Sequence, residues 1–121
     1  MVFGSAGERD RGKRKLQGQV ADRFADTIIL TDEDPRGEQP ERILEEIAAG
    51  CRSHERNIDL HLIPDRREAI MRALKLATAG DTVLLLGKGH ETGIIYADHT
   101  IEWDEADIAR TMLHEMGYRN D

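Results

Sequence analysis

The feature that most constrains the fold is the alternation of short apolar runs with longer segments of helical periodicity. Apolar, largely β-branched runs of this length are typical of buried strands. They predict strands at Val2–Phe3, 27–31, 58–62 and 82–86. Between them, apolar residues recur every three or four positions, as on one face of a helix. These helices are predicted over 13–25, 40–50 and 64–80. Strands that alternate with helices form mostly parallel sheets, so the sequence predicts an α/β fold: a Rossmann-like, three-layer domain with helices on both faces of the sheet.

Individual elements carry more specific expectations. The first helix is expected to bury a face formed by Leu16, Val20 and Phe24, and the run 82–86 is expected to be a central strand because it is the most apolar in the chain. A small C-terminal hairpin and a last helix are predicted after it. The hairpin joins 94–96 to 100–102, and the helix begins after Asp104 and ends at Gly117. No linker divides the sequence, so residues 1–121 are expected to form one domain.

Length and composition exclude several classes of protein. With 121 residues, of which 39% are hydrophobic and 34% charged, the chain has the size and composition of one globular domain. No apolar run approaches the roughly 18 residues of a membrane helix, and the residues after Met1 do not resemble a secretory signal. The single cysteine, Cys51, can form no internal disulfide, and these features together predict a cytoplasmic protein. A net charge of −7 argues against binding to nucleic acid.

Three polar loops follow predicted strands, and they span 4–14, 31–38 and 87–92. In a parallel α/β sheet the carboxyl ends of the strands lie at one edge, and ligands bind there. The sequence therefore predicts a binding site where these loops meet.

The first loop contains Gly7-Glu8-Arg9-Asp10-Arg11-Gly12-Lys13-Arg14, which begins like a phosphate-binding G-x-x-x-x-G-K-[ST] loop. Arg14 occupies the position that needs a hydroxyl group for magnesium, so a nucleotide cradle is not expected here. The basic residues nevertheless lie near a helix N-terminus, where positive charge opposes the helix dipole. We therefore expect an anion close to Lys13 and Arg14; the alternative is a solvated, charged turn.

The other two loops combine carboxylates with an arginine and glycines. The segment from Thr31 to Arg36 offers carboxylates for an ammonium group and a guanidinium for a carboxylate, as an amino acid requires. An acidic turn is the alternative reading of this segment. In the third loop, Gly87 and Gly89 allow the close approach of a ligand, and Glu91 is placed to bind a cation.

Metal and thiol chemistry are not expected. The pairs His90-Glu91 and His114-Glu115 lack the second histidine of a zinc-binding helix. Cys51 has no obvious base beside it and is expected to be an unreactive thiol.

Taken together and in order, these segments resemble the C-terminal domain of the Mur ligase family, and most closely its UDP-N-acetylmuramyl-tripeptide synthetases. The family's G-x-R-D-x-G-K-R segment is matched by residues 7–14, and its D-N-P-R loop by Glu33-Asp34-Pro35-Arg36. Gly87-Lys88-Gly89-His90-Glu91 matches its G-K-G-H-E motif. Phe24-Ala25-Asp26 and Asp104-Glu105-Ala106 are similar too, so the resemblance covers almost the whole chain.

The resemblance implies an amino-acid site. The matching positions are Arg9, Glu33, Asp34, Pro35, Arg36, Gly87 and Glu91. Arg9 and Arg36 would bind the distal carboxylate of meso-diaminopimelate, and Glu91 would bind the ammonium group beside it. The sequence departs from the family's Asp-Asn at Glu33-Asp34, and the more acidic pair would also admit lysine or ornithine.

The resemblance also implies a larger enzyme. Family members use ATP and Mg²⁺ to join an amino acid to UDP-MurNAc-L-Ala-D-Glu in bacterial peptidoglycan synthesis, and their ATP-binding loop lies in a central domain. The partners expected for this chain are therefore a diamino acid and the N-terminal and central ligase domains. No cofactor is expected on these 121 residues, which should have no activity alone. The alternatives are a stand-alone amino-acid-binding or regulatory module with this fold, and a ligase of the folylpolyglutamate or cyanophycin type.

Overall fold

A computed structural model describes residues 1–118 of the chain. Its elements follow one another as strands alternating with helices, and then as a hairpin and a final helix. They are β1 (Val2–Phe3), α1 (Gly12–Phe24), β2 (Ile28–Leu30), α2 (Pro40–Ala48), β3 (Leu60–Leu62), α3 (Arg66–Leu76), β4 (Gly93–Ile95), β5 (Thr100–Glu102) and α4 (Glu105–Glu115). Among the described residues, no helix is long and apolar enough to span a membrane.

The sheet is parallel, with the strand order β1-β2-β3. Because successive side chains on a strand point to opposite faces, each strand contributes to two cores. Phe3, Ile28 and Leu30 pack with α1 and α2 on one face, whereas Val2 and Ile29 pack with α3 on the other. The predicted three-layer α/β architecture, with helices on both faces, is therefore confirmed.

The C-terminal hairpin is also present, because β4 pairs with β5 in antiparallel fashion. It has a core of its own, in which Ile94, Trp103, Ile108 and Met112 pack against Ile70 of α3. This core attaches the hairpin and α4 to the outer side of α3. The side chain of Asp104 accepts a hydrogen bond from the Asp107 amide and caps α4 as predicted.

The predicted buried face of α1 is wrong. Leu16, Val20 and Phe24 are 58%, 56% and 74% exposed. The helix instead buries the stripe Arg14, Gly18 and Ala21. Gly18 decides this rotation, because the absence of a side chain lets α1 lie directly against the carbonyl of Ile47 at the end of α2.

The prediction of a central strand at 82–86 is also wrong. Only Leu85 forms a bridge, to Val2, with hydrogen bonds from the Val2 amide to the Leu84 carbonyl (2.8 Å) and from the Leu86 amide to the Val2 carbonyl (2.9 Å). The segment lies beside β1 at the margin of the described sheet, and Leu84 and Leu86 are exposed. Its apolar composition therefore does not indicate burial on both faces.

Candidate functional site

The first two polar loops are in direct backbone contact. The Gly7 amide donates to the Asp34 carbonyl over 2.6 Å, and the Arg36 guanidinium donates to the Gly7 carbonyl over 3.1 Å. A methyl group at Gly7 would overlap the carbonyl oxygen of Pro35. Only glycine permits this approach, so Gly7 aligns the first loop with the segment 33–36.

The third loop joins them through a buried lysine. Lys88 is 1% exposed, and its ammonium group lies 3.0 Å from Asp34 Oδ1 and 2.6 Å from Glu91 Oε2. A turn brings Lys88 and Glu91 together, because the Glu91 amide donates to the Lys88 carbonyl and Gly89 has a positive φ of 49°. The expected convergence of the three loops is therefore present. We did not predict a role for Lys88, although the G-K-G-H-E motif contains it.

Glu33 lies against the backbone of the third loop. Its carboxyl carbon is 3.2 Å from where a Cβ atom would stand at Gly87, whose φ is 99°. Burial raises the pKa of Glu33 above its ordinary value, while the charge of Lys88 opposes the rise. A cation bound beside Glu33 would favour its ionised form. Glu33 and Gly87 also line a groove of about 510 Å³, which reaches Lys13.

Arg36 is held by its backbone as well as by its side chain. It has a left-handed φ of 54°, and its amide donates to the Ile95 carbonyl over 2.9 Å. The Ile95 amide in turn donates to Asp34 Oδ1 over 2.9 Å, so the hairpin fixes the second loop from its far side. Arg9 is exposed, and none of the hydrogen bonds found within residues 1–118 involves its side chain.

A buried carboxylate at the end of β2 was not anticipated. Asp32 is 4% exposed, and its Oδ2 accepts a hydrogen bond from the Tyr96 hydroxyl over 2.7 Å. Its Oδ1 is buried and has no partner within residues 1–118. Burial raises the pKa of Asp32 to about 6, which the bond from Tyr96 only partly offsets.

Replacing Asp32 with asparagine is expected to stabilise the fold at neutral pH. A rise of the pKa from 3.8 to about 6 means that ionised Asp32 costs about 3 kcal/mol above pH 6 and nothing below about pH 4. The amide keeps an acceptor for Tyr96 but adds a buried donor, so we expect a net gain of about 1–2 kcal/mol at pH 7.5. Urea unfolding between pH 4 and pH 7.5 measures it, and the gain should shrink as the pH falls. The exposed Asp26→Asn is the control, and a gain independent of pH would contradict the assigned cause.

Of the two residues near which an anion is expected, Arg14 has carboxylate partners within the chain itself. Arg14 is completely buried, and its guanidinium lies 2.7 Å from Glu38 Oε2 and 2.6 Å from Glu46 Oε2. Arg11 forms an ion pair with Glu46 as well. The arginines hold the pKa of Glu38 and Glu46 below its ordinary value. Arg14 therefore already has anionic partners within the fold, while Lys13 is exposed.

The same loop does not form a cradle for a nucleotide triphosphate. Two of the loop's glycine amides are already used, since that of Gly7 donates to the Asp34 carbonyl and that of Gly12 donates to the Asp10 side chain over 2.9 Å. The carboxylate of Glu8 accepts from the Gly37 amide over 2.7 Å and so lies within the same loop pair. These residues do not fit ATP with Mg²⁺.

A second cavity and a free cysteine lie outside the three loops. A cavity of about 460 Å³ lies at the amino ends of the strands, beside Met1, Thr27 and Thr82, on the opposite side from the three loops. Within residues 1–118, no group of three or more histidine, cysteine, aspartate or glutamate side chains is arranged to hold a metal ion. Burial raises the pKa of the Cys51 thiol to about 11, which agrees with an unreactive role.

The fold and the site together define a class: a Rossmann-like α/β domain with a cluster of paired charges on the loops at the carboxyl ends of its parallel strands. Comparison with known proteins identifies it further. A family model described as "Mur ligase, glutamate ligase domain" matches residues 1–89. The chain belongs to the Mur ligase family and corresponds to the C-terminal domain of these enzymes.

Relatives with curated names are similar over almost the whole chain. It is 56% identical over 119 residues to UDP-N-acetylmuramyl-tripeptide synthetase of Roseiflexus sp. (strain RS-1), covering 97% of this chain and 23% of that protein. It is 44% identical over 115 residues to UDP-N-acetylmuramoyl-L-alanyl-D-glutamate--2,6-diaminopimelate ligase of Caldanaerobacter subterraneus subsp. tengcongensis, covering 95% and 23%. A solved structure of a ligase with that name matches with a TM-score of 0.85 and 37% identity, over 98% of this chain and 24% of the other. The chain thus spans less than a quarter of the length of these relatives.

Proposed function

We propose that this domain holds a diamino acid for an ATP-dependent, amide-forming ligase of peptidoglycan synthesis in the bacterial cytoplasm. The observation that carries the proposal is the grouping of Glu33, Glu91 and Arg36 around loops that Gly7 and Lys88 bring together. An amino acid needs an anionic partner for its ammonium group and a cationic partner for its carboxylate. The pocket offers both.

Each group has a specific part in this proposal. Glu91, whose carboxylate is half exposed, accepts the ligand's ammonium group together with Glu33. Arg36 binds the distal carboxylate as a planar, forked donor, and the exposed Arg9 approaches the same carboxylate from the first loop. The pocket is shaped by Asp34, Pro35 and Gly87. Asp34 does not bind the ligand's charge in this proposal, because it is already paired with Lys88.

We propose meso-diaminopimelate as the favoured ligand. Its second carboxylate gives Arg36 a partner that lysine or ornithine lacks. The acidic Asp34 favours a basic amino acid less than the sequence alone suggests, because its Oδ1 oxygen already accepts hydrogen bonds from Lys88 and from the Ile95 amide. The relative from Caldanaerobacter carries 2,6-diaminopimelate in its name, whereas that from Roseiflexus names no amino acid. Lysine and ornithine remain the competing ligands.

The remaining chemistry belongs to other parts of the parent ligase. We propose that ATP and Mg²⁺ bind to the central domain of the parent ligase, and that the nucleotide-sugar substrate binds to its N-terminal domain. ATP there supplies an activated carboxylate, and this domain orients the amine that attacks it. Orientation of two reactants is a large catalytic effect in itself. The isolated chain is expected to bind but not to turn over.

Isothermal titration calorimetry tests the pocket on the chain itself. We expect weak but measurable binding of meso-diaminopimelate, and Arg36→Ala should weaken it about 10- to 100-fold because a charge-assisted, forked contact is lost. The exposed Arg72→Ala on α3 is the matched control and should bind as the unmodified chain does. Tighter binding of lysine than of diaminopimelate by the unmodified chain would refute the choice of ligand. Equal binding by the Arg36 and Arg72 variants would refute the role of Arg36.

A further inference from the structure

We propose that Lys88 is a positioning residue of this pocket, which fixes the carboxylate of Glu91 and sets the pocket's preference among amino acids by cancelling the charge of Asp34. This role rests on the proposed function of the pocket. It assigns no contact between Lys88 and the ligand, because the ammonium group of Lys88 is enclosed by protein.

The burial of Lys88 requires its two partners. Its side chain is 0% exposed, and a lysine is almost never found at such a site without counter-charges, since the loss of hydration is costly. Asp34 at 3.0 Å and Glu91 at 2.6 Å supply them. The two partners come from different loops, so Lys88 ties the second loop to the third.

The two carboxylates differ in how far they are committed to Lys88. Asp34 is 10% exposed in its side chain, and its Oδ1 also accepts the Ile95 amide, so it is used within the protein. The side chain of Glu91 is 51% exposed and contacts Lys88 through Oε2 alone. An exposed glutamate held at one oxygen keeps its rotamer while the other oxygen stays free for a ligand. Lys88 therefore pre-organises the acceptor for the ligand's ammonium group.

Lys88 also decides the net charge that a ligand meets. Glu33, Asp34 and Glu91 are three carboxylates, and Lys88 neutralises one of them. Without Lys88, the pocket carries one more negative charge and favours an amino acid with a cationic side chain over diaminopimelate, whose distal end carries both charges. The pair Lys88–Asp34 is thus the specificity-determining unit.

Two variants and a control separate this role from a contribution to folding. Lys88→Met leaves the buried carboxyl group of Asp34 without its cationic partner, so we expect it to destabilise the fold. The double variant Lys88→Met with Asp34→Asn removes both charges and keeps an acceptor for the Ile95 amide. The exposed Lys75→Met on α3 is the control. Urea unfolding gives the stability of each, and calorimetry gives its affinity for meso-diaminopimelate and for L-lysine.

We expect the double variant to fold and to bind both amino acids about tenfold more weakly, with the ratio of the two affinities unchanged. Lys88→Met, where it folds, should shift that ratio about tenfold toward lysine. A double variant with the affinities of the unmodified chain would overturn the positioning role. A double variant that fails to fold would overturn it too, because Lys88 would then serve the fold. If the unmodified chain bound neither amino acid, the proposed function would fall, and this role with it.

Discussion

Replacing Arg66 with alanine is expected to lower the free energy of unfolding by about 3–5 kcal/mol. Arg66 is 1% exposed, and it donates to both oxygens of Glu105 over 2.7 Å. It also donates to the carbonyl of Asp32 over 2.8 Å and to that of Leu86 over 2.9 Å. Alanine at this position would leave the buried Glu105 carboxylate with fewer donors and would remove the donor to the carbonyls of Asp32 and Leu86.

The size of the effect follows from what this one side chain connects. Arg66 is the first residue of α3 and Glu105 is the first residue of α4. The two carbonyls belong to the loop after β2 and to the end of the segment beside β1. Trp103 donates to the same Glu105 carboxylate over 3.0 Å. Thermal unfolding should show a melting temperature lower by more than about 10 °C.

The neighbouring Arg67 provides the matched control, because it is exposed on the same helix. Arg67→Ala should change the stability by less than about 0.5 kcal/mol. Combining Arg66→Ala with Glu105→Ala should cost much less than the sum of the two single substitutions, since both break one network. Additive costs would show that the ion pair is not the source of the stability.

The second large effect is expected at Gly18. A methyl group there would overlap the carbonyl oxygen of Ile47, and Gly50 Cα lies 3.2 Å from the same position. Both of these neighbours are backbone, so the helices must separate. Alanine gains about 1 kcal/mol over glycine in a helix interior. We nevertheless expect Gly18→Ala to lower the free energy of unfolding by about 2–3 kcal/mol, because overpacking at a backbone contact outweighs that gain.

Gly12 offers the comparison that isolates this clash. It lies in the same helix, and a methyl group there meets only the end of the Asp10 side chain, at 3.2 Å. Gly12→Ala should therefore be neutral or slightly stabilising in the same urea titration. A similar loss of stability at both positions would point to the backbone conformation of α1 rather than to its contact with α2.

Much of this fold is predictable because its local signals agree with one another. The alternation of strands and helices predicted the layers, and the topology of a parallel sheet predicted that the three loops would meet. Asp104 and Pro40 marked helix starts, because their chemistry is local to the turn that they begin. Features that depend on neighbouring residues along the chain could therefore be predicted from the sequence.

The predictions that failed concern residues whose contact partners lie far away in the sequence. The pattern of Leu16, Val20 and Phe24 predicts a buried face. The rotation of α1 is set instead by Gly18 and Gly50, which are 32 positions apart in the sequence. The sequence predicts an external anion near Arg14 and no role for Arg66 or Lys88, yet each of these side chains is buried against a carboxylate from a distant segment. A buried ion pair produces no periodic pattern in the sequence, because each charged residue is matched to a partner in another segment and not to its neighbours along the chain.

The contact between Gly7 and Pro35 has a consequence for protein engineering. Transplanting the segment 31–38 from another ligase would import a different backbone path together with the new side chains. The recipient's first loop would then collide with the graft or leave a gap, since Gly7 lies against the carbonyl of Pro35 with no side chain between them. The two loops form a single cassette, and chimaeras that exchange residues 4–14 together with 31–38 should be recovered as soluble protein more often than those that exchange either segment alone.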